Sequence, residues 1–224
     1  MLDRTTHKGR ILAAALACAS KKSWADVTLL DIAEEADLPL LALRGLFNSK
    51  DAIIAGLLRE VDDEVLKRTP KAAEGQAPRD TLFDVLMTRF DVLEPYKAAL
   101  KSISAAGSAD LGLARPYLAS MHWMLQGAGI GTEGVSGGLR VTGLATIYAS
   151  VFRIWLADDD PGLSRTMAAL DRRLRTGEST LRSVEEVGSV LHRFATDAPG
   201  FLRSVLRGRR PAPDPKPDPE MHSV

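Results

Sequence analysis

The sequence predicts an all-α protein, in which three short helices forming a helix-turn-helix unit are joined by a fourth helix to a C-terminal helical bundle. Apolar residues recur at three- and four-residue spacing along most of the chain, and no run shows the strict alternation of a half-buried strand. The second and third helical stretches are separated only by Asp37, Leu38 and Pro39, the spacing of a tight helix-helix turn. At 224 residues the chain lies between one and two average domains and can bury a sizeable core.

Ile11, Leu12, Ala15, Leu16 and Ala19 form the stripe of a first helix, which breaks between Lys21 and Trp24. Its basic flank, short apolar run and small residues at Ala17 and Ala19 also have the make-up of a signal peptide. The helix reading is preferred because the following segment needs this helix as a packing partner. Thr28, with Asp31 three residues on, makes a capping-box pattern for a second helix carrying Leu29, Ile32, Ala33 and Ala36. A third short helix places Leu43 and Phe47 on one face. Ser49 can cap a longer fourth helix bearing Ile53, Leu57, Leu58, Val61 and Val65.

Residues 1–68 therefore read as the helix-turn-helix domain with its connecting helix, and 69–80 as a linker. Residues 81–207 read as a helical domain and 208–224 as a proline-rich extended tail, since alternating prolines cannot form a helix. In the second half, Leu82, Val85, Leu86, Phe90 and Leu93 open an amphipathic helix, and Tyr117, Met121, Met124 and Ala128 continue the pattern. The stretch from Val141 to Ala157 is apolar nearly all round, which predicts a helix at the centre of the bundle. It is short for a membrane span and contains Arg153. Asp160 before Pro161 reads as a cap and first-turn proline for a helix with Leu163, Met167, Leu170 and Leu174. Ser183 and Glu186 form a further capping box.

Lysine plus arginine and aspartate plus glutamate both number 29, which excludes binding to polyanions through overall charge and leaves only a local patch. The single cysteine excludes a disulfide framework and a cysteine-based zinc site. His7, His122, His192 and His222 show no ligand spacing, so neither a metal nor a cofactor is expected. Two motifs of catalytic form, GIGTEG from Gly129 and GVSGG from Gly134, lack the preceding strand that gives them function and read as a loop. Ser136 has no placed base, and His122, beside Trp123, reads as a pocket-rim residue. An enzyme is not expected.

Residues 23–53, SWADVTLLDIAEEADLPLLALRGLFNSKDAI, resemble the N-terminal domain of the TetR family of bacterial regulators. The matching features are Trp24, Thr28, Ile32 with Ala33, Ala36, Leu43, Phe47 and the Ser49-Lys50-Asp51 step. The resemblance implies a third helix that enters the major groove of duplex DNA, and a second domain that forms a homodimer and binds a small molecule controlling DNA affinity. Thr28, Leu40, Leu41, Arg44 and Lys50 are the candidate DNA-contacting residues.

The departures fall where DNA would be touched. Asp37 stands where the family usually has glycine, and the third helix reads Leu40, Leu41, Ala42, Leu43, Arg44 where polar donors to phosphate are typical. Between Asp26 and Asn48 five acids (Asp26, Asp31, Glu34, Glu35, Asp37) face one base, Arg44, whereas affinity for a duplex rests largely on lysine and arginine. The first 24 residues supply Arg4, Lys8, Arg10, Lys21 and Lys22, either as phosphate contacts or as a solvated face. Leu30, Leu40, Leu41 and Leu46 either face out as a partner surface or join a repacked core.

Residues 138–174 are similar to the C-terminal part of TetR-fold lipid-binding accessory proteins of ubiquinone biosynthesis. Tyr148, Trp155-Leu156, Asp159 or Asp160 before Pro161-Gly162, and Leu170-Asp171-Arg172-Arg173-Leu174 carry this likeness. It implies an isoprenoid or quinone-precursor lipid in the bundle, no DNA binding, and peripheral membrane contact. For that contact, Phe201 to Arg210 is a basic amphipathic element, readable equally as a last core helix. Aromatics and methionines concentrate in the second half, so Phe90, Tyr117, Met121, Met124, Tyr148 and Phe152 are the candidate lining of a site for a small apolar molecule or lipid. The leading expectation is a ligand-responsive, cytoplasmic, homodimeric DNA-binding regulator, because that resemblance is the longer and more specific. The lipid-binding accessory protein, at the inner membrane face, is the alternative.

Overall fold

The computed structural model describes residues 2–69, 75–106 and 111–179, and the described helices belong to one compact unit, Met1–Leu181. The Ser183 capping box, the Phe201 to Arg210 element and the proline-rich tail lie outside the described residues. The helices are α1 (His7–Lys21), α2 (Leu29–Glu35), α3 (Leu40–Leu46), α4 (Lys50–Arg68), α5 (Pro78–Leu93), α6 (Lys97–Ala105), α7 (Leu111–Gly127) and α8 (Gly134–Leu156), followed by α9 over 164–179. No strand occurs among the described residues.

Local chemistry sets the helix starts. Thr6 caps α1 by accepting from the Gly9 amide, and Ser49 caps α4 by accepting from Ala52. At α2 the predicted capping box is complete: the Thr28 hydroxyl accepts from the Asp31 amide at 3.1 Å, and the Asp31 carboxylate accepts from the Thr28 amide at 2.7 Å. Pro78 opens α5 in its first turn, where a missing N–H costs nothing, so that helix starts within the stretch read as a linker.

The turn between α2 and α3 rests on Asp37, whose φ of 49° is left-handed, a conformation aspartate adopts more readily than most residues. Arg10 of α1 braces this turn, donating to the Ala36 carbonyl through Nε and Nη2 at 3.0 and 2.6 Å and to the Asp37 carbonyl at 2.7 Å. A cation on the last carbonyls of α2 satisfies groups that the helix itself leaves unpaired. Ile11, Leu12 and Leu16 are buried with Ile32, Ala33, Leu43, Phe47, Ile53 and Leu57. Each leucine, isoleucine or phenylalanine among them contributes about 1.5–3 kcal/mol when fully buried. A Cβ at Gly56 would lie 2.8 Å from the Phe47 ring, so glycine lets α4 close on this small core.

In the bundle, α4 packs on α5 and α7, and α7 on α8, while α6 covers α1. Ser102 of α6 ties that contact, accepting from the Trp24 amide at 2.9 Å and donating to the Lys22 carbonyl at 3.1 Å. The predicted stripe Leu82, Val85, Leu86, Phe90, Leu93 is buried, and of the stripe Tyr117, Met121, Met124, Ala128 all but part-buried Tyr117 are buried.

Three expectations need correction. The Val141 to Ala157 stretch is helical but not enclosed: Leu144, Ala145, Tyr148, Val151 and Trp155 point inward, while Thr142, Gly143, Thr146 and Arg153 are exposed. High hydropathy there reflects small residues on the outer side as much as large ones on the inner. Pro161 does not sit in a helical first turn. Residues 161–162 form a turn, Leu163 takes a left-handed φ of 50°, and α9 begins at 164, leaving Met167 41% exposed. The GVSGG segment is the first turns of α8, not a loop. Among the described residues no helix is long and apolar enough to cross a membrane.

Candidate functional site

Two regions carry the candidate residues. On the helix-turn-helix face Leu30, Leu40, Leu41 and Leu46 are exposed, Leu41 to 75%, which decides that they face outward and are not repacked into the core. Arg44 is exposed beside them. Thr28 and Lys50 are already engaged within the fold. The Thr28 hydroxyl belongs to the α2 cap. Lys50 Nζ donates to the carbonyls of Trp24 at 2.6 Å and Val27 at 2.9 Å, and lies 4.9 Å from the centre of the Trp24 ring.

The basic residues of the N-terminal segment are turned toward the acids of the same domain. Lys21 meets Glu35 at 2.7 Å, Lys22 meets Asp31 at 2.8 Å, Lys8 meets Glu60 at 2.6 Å, and Arg10 meets Asp37 at 3.2 Å. The Lys22 ammonium, with the Thr28 amide and hydroxyl, holds the Asp31 carboxyl well below the usual carboxylate range, while hydrogen bonds to Glu35 and Asp31 raise the Lys21 and Lys22 pKa values. Pairs this exposed stabilise little. Their consequence is electrostatic: four of the five bases in the predicted patch neutralise α2, the turn and α4, which leaves Arg4 of that patch, with Arg44 of α3, exposed to a phosphate backbone.

The second region is the bundle core, and it brings together most of the predicted lining. Phe90 of α5 stacks on Tyr148 of α8, ring centres 5.3 Å apart. Tyr148 also contacts Phe152 at 5.9 Å and Tyr117 at 6.4 Å. Met121 and Met124 are fully buried, and the Tyr117 hydroxyl donates to the Ala145 carbonyl at 2.8 Å. Burial raises the pKa of both tyrosines. Both rings therefore stay neutral at physiological pH.

A charged cluster that composition does not reveal lies against these rings. Arg89 of α5, 1% exposed, donates from Nη1 to Asp62 Oδ1 on α4 and from Nε to the Tyr148 hydroxyl at 3.2 Å. Ser120 of α7 donates to the same Asp62 oxygen at 2.6 Å, and the Met124 sulfur lies 3.7 Å from Nη1. Burial disfavours the Arg89 charge, but Tyr148 and Asp62 outweigh it and raise its pKa above the ordinary arginine value. One signal was present in the sequence: Arg89 and Asp62 both stand in apolar register, Arg89 between Leu86 and Leu93, Asp62 between Leu58 and Val65.

The residues carrying the second resemblance build the end of the bundle. Trp155 is fully buried, with its Nε1 donating to Glu94 at 3.0 Å and the Lys97 ammonium 4.9 Å from its ring centre. Asp160 accepts from Gly162 and Ser164, and Leu170 and Leu174 are core; beside them Asp158, which is not part of that likeness, accepts from the Thr166 amide and hydroxyl at 2.9 and 2.7 Å. His122 meets Trp123 edge-on at 5.5 Å, and Trp123 is half exposed, so this pair faces away from the aromatic cluster. Among the described residues no group of three or more histidine, cysteine, aspartate or glutamate side chains could hold a metal ion.

A helix-turn-helix unit continuous through one long helix with an aromatic-lined bundle defines a class of architecture, and comparison with solved structures shows which proteins share that fold. A TetR transcriptional regulator from Nitrosomonas europaea is similar with a TM-score of 0.61 at 21% identity, over 77% of this chain and 98% of its own. One from Rhodococcus sp. RHA1 matches at 0.58 and 20%, over 76% and 94%. A TetR-family regulator from Streptomyces coelicolor matches at 0.51 and 16%, over 89% and 98%. No family model matches the sequence. No curated protein matches it either. At these identities the likeness establishes the fold: the chain has the fold of TetR-family regulators.

Proposed function

We propose that the protein is a ligand-responsive, homodimeric DNA-binding regulator whose α3 enters the major groove and whose bundle core holds a small apolar molecule. One observation carries the reading: α4 runs without a break from the helix-turn-helix core, which it enters through Ile53 and Leu57, to the bundle core, where Asp62 meets Arg89. A single rigid element thus links a DNA-facing unit with a site for a ligand. Leu40, Leu41 and Arg44 are the proposed base-edge and phosphate contacts, with Thr28 and Lys50 holding α2 and the start of α4 in position. The outer side of α8, with exposed Val135 and Leu139 beside small residues, is the proposed dimer face. The three structural relatives, all named as transcriptional regulators, support this reading over an enzyme.

The internal pairing of Lys8, Arg10, Lys21 and Lys22 favours a second reading, in which the fold is kept, DNA binding is lost, and the bundle serves as a lipid-binding accessory module, approaching membranes through Phe201 to Arg210. Binding of the purified protein to random-sequence duplex at low salt separates the two, since even non-specific contacts form there. Retention of duplex supports the regulator. No retention, with lipid recovered from an organic extract of the same preparation, supports the second reading.

A further inference from the structure

We infer that the bundle core is built for an apolar molecule bearing a carboxylate, which takes the place of Asp62 on Arg89. The inference rests on the ligand-responsive reading above and names the chemistry of its ligand. Arg89 is a buried cation over the Tyr148 ring, on which Phe90 stacks in turn, and its counter-charge comes from another helix. Asp62 meets it through one oxygen only, and that oxygen is shared with Ser120. The other acceptors are weak: a neutral phenol at 3.2 Å and a thioether at 3.7 Å. A guanidinium fork is matched by two carboxylate oxygens side by side, so Asp62 leaves much of its hydrogen-bonding capacity to poor partners.

A ligand carboxylate arriving in bidentate geometry replaces a single-oxygen contact with two. Its tail lies on the aromatic faces and on Met121 and Met124, whose flexible side chains repack readily. Tyr117 and Phe152 are only part-buried, so the cluster reaches the surface on their side, and the tail enters by displacing these two side chains. An uncharged molecule gains nothing from Arg89, and a cation is opposed by it. Exchange at Arg89 leaves the buried Asp62 carboxylate without its cation, so it must reach water through a shift of α4, the helix shared with the helix-turn-helix core.

The test is isothermal titration of the full-length protein with octanoate and with octan-1-ol, which differ in the head group alone. Octanoate is expected to bind about tenfold or more tightly than the alcohol. Asp62→Asn, which weakens the internal competitor, is expected to tighten octanoate binding by about tenfold and leave the alcohol unchanged. The double variant Asp62→Leu/Arg89→Met removes both charges together, so it avoids an orphaned buried ion and its cooperative melting can be verified. It is expected to lose the preference for octanoate. Equal affinities in the parent protein, a preference that survives in the double variant, or no gain in Asp62→Asn would overturn the inference. If octan-1-ol binds and octanoate does not, the ligand-responsive reading stands and the carboxylate is wrong; if neither probe binds, both fail.

Discussion

Lys50 closes on Trp24 from across the helix-turn-helix domain: its ammonium donates to the Trp24 carbonyl at 2.6 Å and stands 4.9 Å from the centre of the indole ring. The same ammonium holds the Val27 carbonyl at 2.9 Å. The first residue of α4 thereby pins the segment between α1 and α2, and a side chain in the position of a phosphate contact has a structural task first. Lys50→Met leaves the Val27 carbonyl without its side-chain donor and the Trp24 carbonyl with the Val27 amide alone, which costs about 1–3 kcal/mol. Thermal or urea unfolding should register that loss. A variant as stable as the parent but unable to bind duplex would instead make Lys50 a contact residue.

The cap of α2 predicts a pH response. Lys22 and the Thr28 amide and hydroxyl hold the Asp31 carboxyl below its unfolded value of about 3.9. A depressed folded pKa contributes stability that is present above the unfolded value and is lost as pH falls through the folded one. The parent protein should therefore lose stability below about pH 4 more steeply than Asp31→Asn. Urea midpoints at several acid pH values check this, and parallel curves for the two proteins would refute it.

The internal ion pairs predict a gain of DNA affinity from a loss of charge. Glu35→Gln releases Lys21, whose side chain is 64% exposed, without removing a buried group. Duplex affinity at low salt should rise several-fold, and the slope of log K against log salt should steepen by about 0.9 for each protomer's added phosphate contact, about 1.8 for the dimer. An unchanged slope would place Lys21 away from the duplex.

What was legible in the sequence follows from how local the chemistry is. The starts of α2 and α4 could be read because Thr28 with Asp31, and Ser49, satisfy amides two or three residues away. The burial of Ile11, Ile32, Leu43 and Phe90 followed from spacing alone. The Arg89 and Asp62 pair was not readable as a pair, since the two residues sit on different helices and only the packing of α4 on α5 brings them together. The fate of the N-terminal bases was hidden for the same reason: charge counts along the chain do not tell whether Lys21 faces Glu35 or a phosphate. At Asp160 the sequence pattern named a true cap but misplaced the helix, because the left-handed turn at Leu163 lies between them.

Salt-dependent duplex binding by the parent protein and by Arg44→Ala tests the central claim most directly. Arg44 is an exposed cation at the end of α3, so its removal should leave folding intact. The parent is expected to bind duplex at low salt with a shallow slope, about −2 to −4, since one or two cations from each protomer of the dimer neutralise phosphates. Arg44→Ala should lose that binding while melting like the parent. Absence of parent binding at low salt, or a variant that binds as well as the parent, would contradict the claim that this helix-turn-helix face reads DNA.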